Sequence, residues 1–108
     1  MQIDGLSIEG SWVITPKIHA DERGAFLEWF KEQAFVEAIG HRLQLAQANC
    51  SVCALGVVRG LHFADVPPSQ AKYVTCVSGA ILDVVVDLRT GSSTFGQWEG
   101  VRLDAVDR

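Results

Sequence analysis

The segment Gly56-Val57-Val58-Arg59-Gly60-Leu61-His62-Phe63 places a guanidinium and an imidazole three residues apart in an otherwise apolar run. Imidazole titrates near neutral pH, so it suits general-base work, and a guanidinium suits the grip of a phosphate or carboxylate. In a regular strand Arg59 and His62 would point to opposite faces. Gly60 between them is a site where a bulge could re-aim one of them. The same residues also fit a surface arginine and a satisfied core histidine. A second pair is Lys72 and Asp83. If Gln70–Val77 and Ala80–Leu88 form a hairpin about Ser78-Gly79, the two lie one diagonal step apart on one face, within reach of a long side chain. Paired charges on a Val-rich hairpin are costly to bury, so either a structural ion pair or a functional one fits. Gln47, Asn49 and Ser51 share one face of a third expected strand, which is a polar row for a ligand if it points inward and ordinary solvated surface if it points outward.

Metal chemistry finds little support. A pair of histidines separated by one residue on a strand is missing, because His62 is followed by Phe63 and Ala64, and His19 and His41 lie in loop or helix-end segments. Cys50 and Cys53 form a CxxC with no second pair to complete four ligands, and with Cys76 the cysteine count is odd. They are expected to be plain buried thiols.

The elements that must position these residues are mostly short strands. Ser11–Thr15 is a β-type run stopped by Pro16, and Asp21-Glu22-Arg23-Gly24 is a turn signal. Ala25–Phe30 alternates, so that Phe26, Glu28 and Phe30 share a face when extended. Lys31–Ile39 has helical spacing, with Phe35 and Ile39 on one face and Gly40 placed to end it. Leu43–Val52 and Gly56–Phe63 are expected strands, as are the arms of the 70–88 hairpin. Thr90–Ser93 is a turn, and Trp98–Leu103 opens another strand. Many short strands with Gly and Pro turns and one helix indicate an all-β sandwich or barrel of the jelly-roll kind.

The chain has 108 residues, 48% hydrophobic and 20% charged, which is one folded domain or part of one. The net charge is −4 and the nine basic residues are scattered, which disfavours nucleic acid as a partner. The N-terminus has no apolar core of a signal peptide, and Ala80–Leu88 is too short and too charged to span a bilayer, so a cytoplasmic location is the expectation. A last strand ending near Asp107-Arg108 with nothing to cover its edge suggests truncation or pairing with another chain.

Asp21–Glu28, Gln47–Ser51, Val57–Phe63, Pro68–Val74, Asp83–Arg89 and Ser93–Gly96, in this order and spacing, resemble the successive signatures of the dTDP-4-dehydrorhamnose 3,5-epimerases. Ile14-Thr15-Pro16 and Pro67–Gly79 resemble the actinobacterial branch. The resemblance implies a cupin-type jelly roll working as a homodimer, with no cofactor and no metal. It implies inversion at C3 and C5 of dTDP-4-dehydro-6-deoxyglucose on the route to dTDP-rhamnose. His62 matches the catalytic base and Lys72 a substrate-binding cation that stabilises enolate charge at O4, with Asp83 in support. Arg59, Gln47 and Asn49 match nucleotide- and substrate-binding positions. Arg23, Phe26 and Glu28 match an N-terminal segment that completes the neighbouring subunit's nucleotide site. The family's general-acid tyrosine, the aspartate that orients the histidine and the closing strands are expected beyond Arg108, so residues 1–108 are expected to be the N-terminal portion of one epimerase domain. Two further readings remain open: a 3- or 5-epimerase of antibiotic deoxysugars, and a non-catalytic half-cupin that binds sugar nucleotide.

Overall fold

The computed structural model describes residues 1–106. Its regular elements are three antiparallel hairpins and one helix. β1 (Gln2–Gly5) pairs with β2 (Trp12–Thr15), with Ile3 opposite Ile14. The loop between them closes on itself: Leu6 N–H donates to the Ser11 carbonyl at 2.9 Å, and Ser11 N–H to the Ile8 carbonyl at 3.1 Å. Ile8 is buried there. β2 ends before the buried Pro16, which has no N–H to give to a ladder. β3 (Ile18–Asp21) and β4 (Gly24–Leu27) follow, with Asp21 opposite Gly24, so Glu22-Arg23 is a two-residue turn where the sequence signalled one. Gly24 takes φ +132°, a backbone that residues with a Cβ rarely adopt.

Helix α1 (Glu32–Ile39) matches its expected span closely. Phe35 is its buried residue, and Gly40, left-handed at φ 92°, returns its N–H to the Val36 carbonyl. β5 (Ala80–Val86) pairs along its full length with β6 (Trp98–Asp104), from Ala80 opposite Asp104 to Val86 opposite Trp98. Alternation then puts Ile81, Asp83, Val85, Val101 and Leu103 on one face.

The structure departs from expectation in the middle of the chain. Leu43–Val52, Gly56–Phe63 and Gln70–Val77 are not strands. The partner of β5 is β6 rather than Gln70–Val77. Gly79, at the expected turn, instead accepts from Ala105 N–H at 3.0 Å, which extends the β5–β6 ladder. Strand propensity becomes a strand only where a ladder partner exists, and these segments find none among the described residues. His19, expected in a loop, lies in β3, and β1 and β3 are strands that the polar N-terminal sequence did not signal.

The consequence is an open molecule. Its accessible surface is 8867 Å², against about 5,900 Å² for a compact monomer of this mass. Its radius of gyration is 15.3 Å, against about 13 Å for a compact domain of this length. The buried hydrophobic residues are Ile8, Phe35 and Cys76, while Leu45, Val52, Leu55, Val58, Leu61 and Phe63 are exposed. Cys50 and Cys53 are exposed thiols rather than buried ones; only Cys76 is buried.

Candidate functional site

The β3–β4 hairpin presents its turn as a fixed fork. The Asp21 carboxylate accepts from Arg23 N–H at 2.8 Å, from Nη2 at 2.7 Å and from Nε at 3.1 Å. The guanidinium is therefore held in one orientation while remaining exposed. That same hydrogen bonding, led by the Arg23 side chain, holds the Asp21 carboxyl below its usual pKa. Phe26 lies opposite His19 on the paired strand and keeps an exposed ring. Glu28 follows β4 directly.

After Glu28 the chain enters an aromatic cluster. Phe30 stands 5.5 Å from Phe35, and Tyr73 meets Phe30 edge-on at 5.8 Å and 81°. Phe35 in turn meets the His41 ring at 6.3 Å. The Tyr73 hydroxyl donates to the Trp29 carbonyl. Burial raises the Tyr73 pKa, so the phenol keeps its proton and can donate.

Beside this cluster a cavity of about 470 Å³ is lined by Trp12, Trp29, His41, Lys72, Tyr73 and Asp83 among others. Asp83 reaches it from the inner face of β5, together with Val85 and, across the ladder, Val101 and Leu103. Lys72 and Asp83 thus line one space, although the hairpin expected to set them on one face does not form.

The remaining site residues lie elsewhere. Gln47 and Asn49 are neighbours on an exposed stretch, with Gln47 Nε2 3.4 Å from Asn49 Oδ1. Arg59 Nε donates to Cys53 Sγ at 3.0 Å. His62 is exposed and has no hydrogen-bond partner among the described residues. Neither Arg59 nor His62 lines the cavity. Gly60, between them, sits at φ +142° and sets their relative directions through a backbone that glycine adopts readily. No group of three or more metal-ligating side chains is present among the described residues.

Sequence reasoning missed two polar centres. Asp87 is buried and accepts from Arg89 N–H, Nε and Nη2 at 2.9–3.0 Å, and from the Ser92 and Thr94 hydroxyls at 2.6 and 2.5 Å. These bonds, the Arg89 side chain first, hold its carboxyl far below the usual carboxylate range. The signal was present in Asp87 followed by Ser92, Ser93 and Thr94, since Asp, Ser and Thr close turns through their own side chains. The second centre is Glu99, which reaches back to Ser7.

Three two-stranded antiparallel hairpins and one helix among the described residues make a strand-dominated, all-β architecture, and likeness to solved sugar epimerases places it in the cupin-type jelly-roll class. The model of the dTDP-4-dehydrorhamnose 3,5-epimerase family matches residues 5–108, and the chain belongs to that family. It is 63% identical over 103 residues to the dTDP-4-dehydrorhamnose 3,5-epimerase of Mycolicibacterium smegmatis, covering 95% of this chain and 51% of that protein. Among solved structures it is similar to a 4-keto-6-deoxy sugar epimerase from the novobiocin gene cluster of Streptomyces spheroides, with TM-score 0.98 and 64% identity over all of this chain and 54% of that one. It is also similar to a 3'-monoepimerase from Streptomyces bikiniensis solved in complex with dTDP-quinovose, with TM-score 0.90 and 53% identity over 94% of this chain and 52% of that one. The chain therefore spans about half the length of the relatives it matches.

Proposed function

We propose that residues 1–108 form the N-terminal portion of one epimerase domain that inverts C3 and C5 of dTDP-4-dehydro-6-deoxyglucose in dTDP-L-rhamnose biosynthesis. The observation that carries this reading is the family match over residues 5–108, a span that includes every site residue named above. The protons at C3 and C5 flank the C4 ketone, so their removal gives an enolate rather than a bare carbanion. In this reading His62 is the base. Lys72 meets the charge that develops at O4, where a fixed cation lowers the barrier most. Asp83, which lines the same cavity, is assigned a supporting role. No metal or organic cofactor enters the scheme.

The nucleotide is assigned to the N-terminal residues. Arg23, already oriented by Asp21, and Arg59 grip the pyrophosphate through charge-assisted hydrogen bonds. The exposed Phe26 ring stacks on thymine, and Glu28, Gln47 and Asn49 supply polar contacts. The exposure of Arg23 and Phe26 at a hairpin tip supports a role in a partner's site, in a homodimer that exchanges this segment. Tyr73, the one tyrosine here, donates its hydroxyl to the Trp29 carbonyl and is not assigned the role of general acid. No helix among the described residues is long and apolar enough to cross a membrane, and the cytoplasm is the proposed location.

The test is solvent-deuterium incorporation at C3 and C5 of dTDP-4-dehydro-6-deoxyglucose, followed by NMR, with His62→Ala as control. Exchange at both carbons that disappears in the variant supports the reading. Binding of dTDP without exchange would leave a sugar-nucleotide-binding half-cupin instead. A second enzymatic reading rests on the 64% identity to the epimerase of an antibiotic cluster, and exchange confined to one of the two carbons would select it.

A further inference from the structure

Lys72 lies in the segment Gln70–Val77, which joins no ladder among the described residues. Among the described residues, one hydrogen bond from this segment reaches another part of the fold: Tyr73 hydroxyl to Trp29 carbonyl. The other side-chain bond from the segment, Cys76 Sγ to the Ser78 carbonyl at 3.3 Å, is local. The Tyr73 ring is also seated edge-on against Phe30, which packs on Phe35, the buried anchor of α1. Trp29 and Phe30 lie one residue beyond β4, the strand that carries Phe26. One side chain thus fastens the backbone next to Lys72 to the stretch that joins β4 and α1. A lysine has four rotatable bonds and little preorganisation of its own, so the place of its ammonium depends on where its backbone is held.

We propose that Tyr73 is the positioning residue for Lys72: its bond to the Trp29 carbonyl and its seat on Phe30 fix Lys72 at the wall of the cavity it shares with Asp83. Tyr73 itself need not touch the substrate. This inference rests on the assignment of Lys72 as the cation that meets the enolate. It goes beyond that assignment by naming what holds Lys72 in register. A displacement of about 1 Å at a reacting centre costs up to about 100-fold in rate, so loosening this fastening is expected to show in turnover before it shows in binding.

The experiment is a double-mutant cycle in the full gene product, read as the C3/C5 deuterium-exchange rate per dTDP-binding site. Tyr73→Phe keeps the ring on Phe30 and removes only the hydroxyl. It is expected to slow exchange about 10-fold while the dTDP dissociation constant stays within about twofold. In a Lys72→Ala background the same change is expected to have no further effect, because the residue through which it acts is gone. A purely structural role would lower the rate by the same factor in both backgrounds, and that result overturns the proposal. So does an unchanged rate for Tyr73→Phe in the wild-type background. A wild-type protein that exchanges no deuterium overturns the functional reading and this inference together, whereas normal wild-type exchange with a silent Tyr73→Phe overturns this inference alone.

Discussion

Glu99 on β6 and Ser7 in the β1–β2 loop are 92 positions apart, yet one carboxylate oxygen of Glu99 accepts both the Ser7 amide, at 2.8 Å, and the Ser7 hydroxyl. The contact ties the N-terminal hairpin to the β5–β6 hairpin, two elements that share no ladder. The Ser7 hydroxyl, then its amide, lower the Glu99 pKa. A carboxyl depressed on folding contributes stability that is fully present above its unfolded pKa of about 4.3. That stability is lost as pH falls through the folded value. In the full gene product the melting temperature is therefore expected to fall more steeply below about pH 5 in the wild type than in Glu99→Gln. Parallel pH profiles for the two proteins would remove Glu99 as a source of the acid sensitivity.

Asp87 is the acceptor that staples the loop between β5 and β6. Its carboxylate accepts five hydrogen bonds from Arg89, Ser92 and Thr94 within the loop, while its backbone N–H donates to the Gln97 carbonyl at 2.9 Å and its carbonyl accepts from Gly96 N–H at 2.7 Å, where β6 returns to β5. Asp83 sits on that ladder, so the loop indirectly places a cavity residue. Asp87→Ala leaves the Ser92 and Thr94 hydroxyls and the Arg89 guanidinium without their common acceptor. Proteolysis between Arg89 and Gln97 is expected to accelerate, and Asp87→Asn, which keeps the shape and loses the charge, should fall between wild type and Asp87→Ala. Equal cleavage rates for all three would show that the loop is held by its backbone alone.

What could be read from the sequence follows the range of the interactions involved. Local signals succeeded: the Glu22-Arg23 turn, the span of α1 with Gly40 after it, β2 stopped by Pro16, and β5 and β6 all lie where short-range patterns put them. The failures concern pairing. Leu43–Val52 alternates as a strand should, but alternation specifies a face and not a partner. The hairpin about Ser78-Gly79 had suitable turn residues and lost to the longer β5–β6 ladder, whose closing loop is stapled by Asp87. Lys72 and Asp83 line one cavity, but the hairpin about Ser78-Gly79 expected to set them on one face does not form. The fastening of Tyr73 to Trp29 spans 44 positions, and no local pattern announces it.

Gly60 gives a prediction about the pair it separates. Its φ of +142° is a conformation that L side chains rarely adopt, although there is room for a methyl group, the nearest atom to a built Cβ being the His62 nitrogen at 4.0 Å. Gly60→Ala is therefore opposed by backbone strain rather than by a clash, at a cost of about 1 kcal/mol or more. The chain can relieve this by rotating, which re-aims Arg59 against His62. Both dTDP affinity and deuterium exchange are expected to fall together, unlike the loss of exchange alone expected for His62→Ala. A Gly60→Ala protein with wild-type affinity and wild-type exchange would show that this backbone conformation is not used in the assembled site.

The 108-residue chain by itself is an open molecule. It leaves roughly 3,000 Å² more surface exposed than a compact monomer of its mass, and much of the excess lies on the apolar residues of positions 43–66. That stretch has few backbone hydrogen bonds of its own, Val57 N–H to the Ala54 carbonyl at 3.3 Å being one. Unpaired peptide groups next to exposed Leu, Val and Phe form a template for strand addition by any available chain. The expected behaviour is a broad unfolding transition with a low denaturant slope, strong binding of a hydrophobic dye, and concentration-dependent association by sedimentation. A separate polypeptide matching the other half of the relatives' length is expected to sharpen the transition and quench the dye by offering ladder partners to these exposed segments. A sharp, concentration-independent, monomeric transition of the chain alone would mean that positions 43–66 find their partners within residues 1–108 in solution.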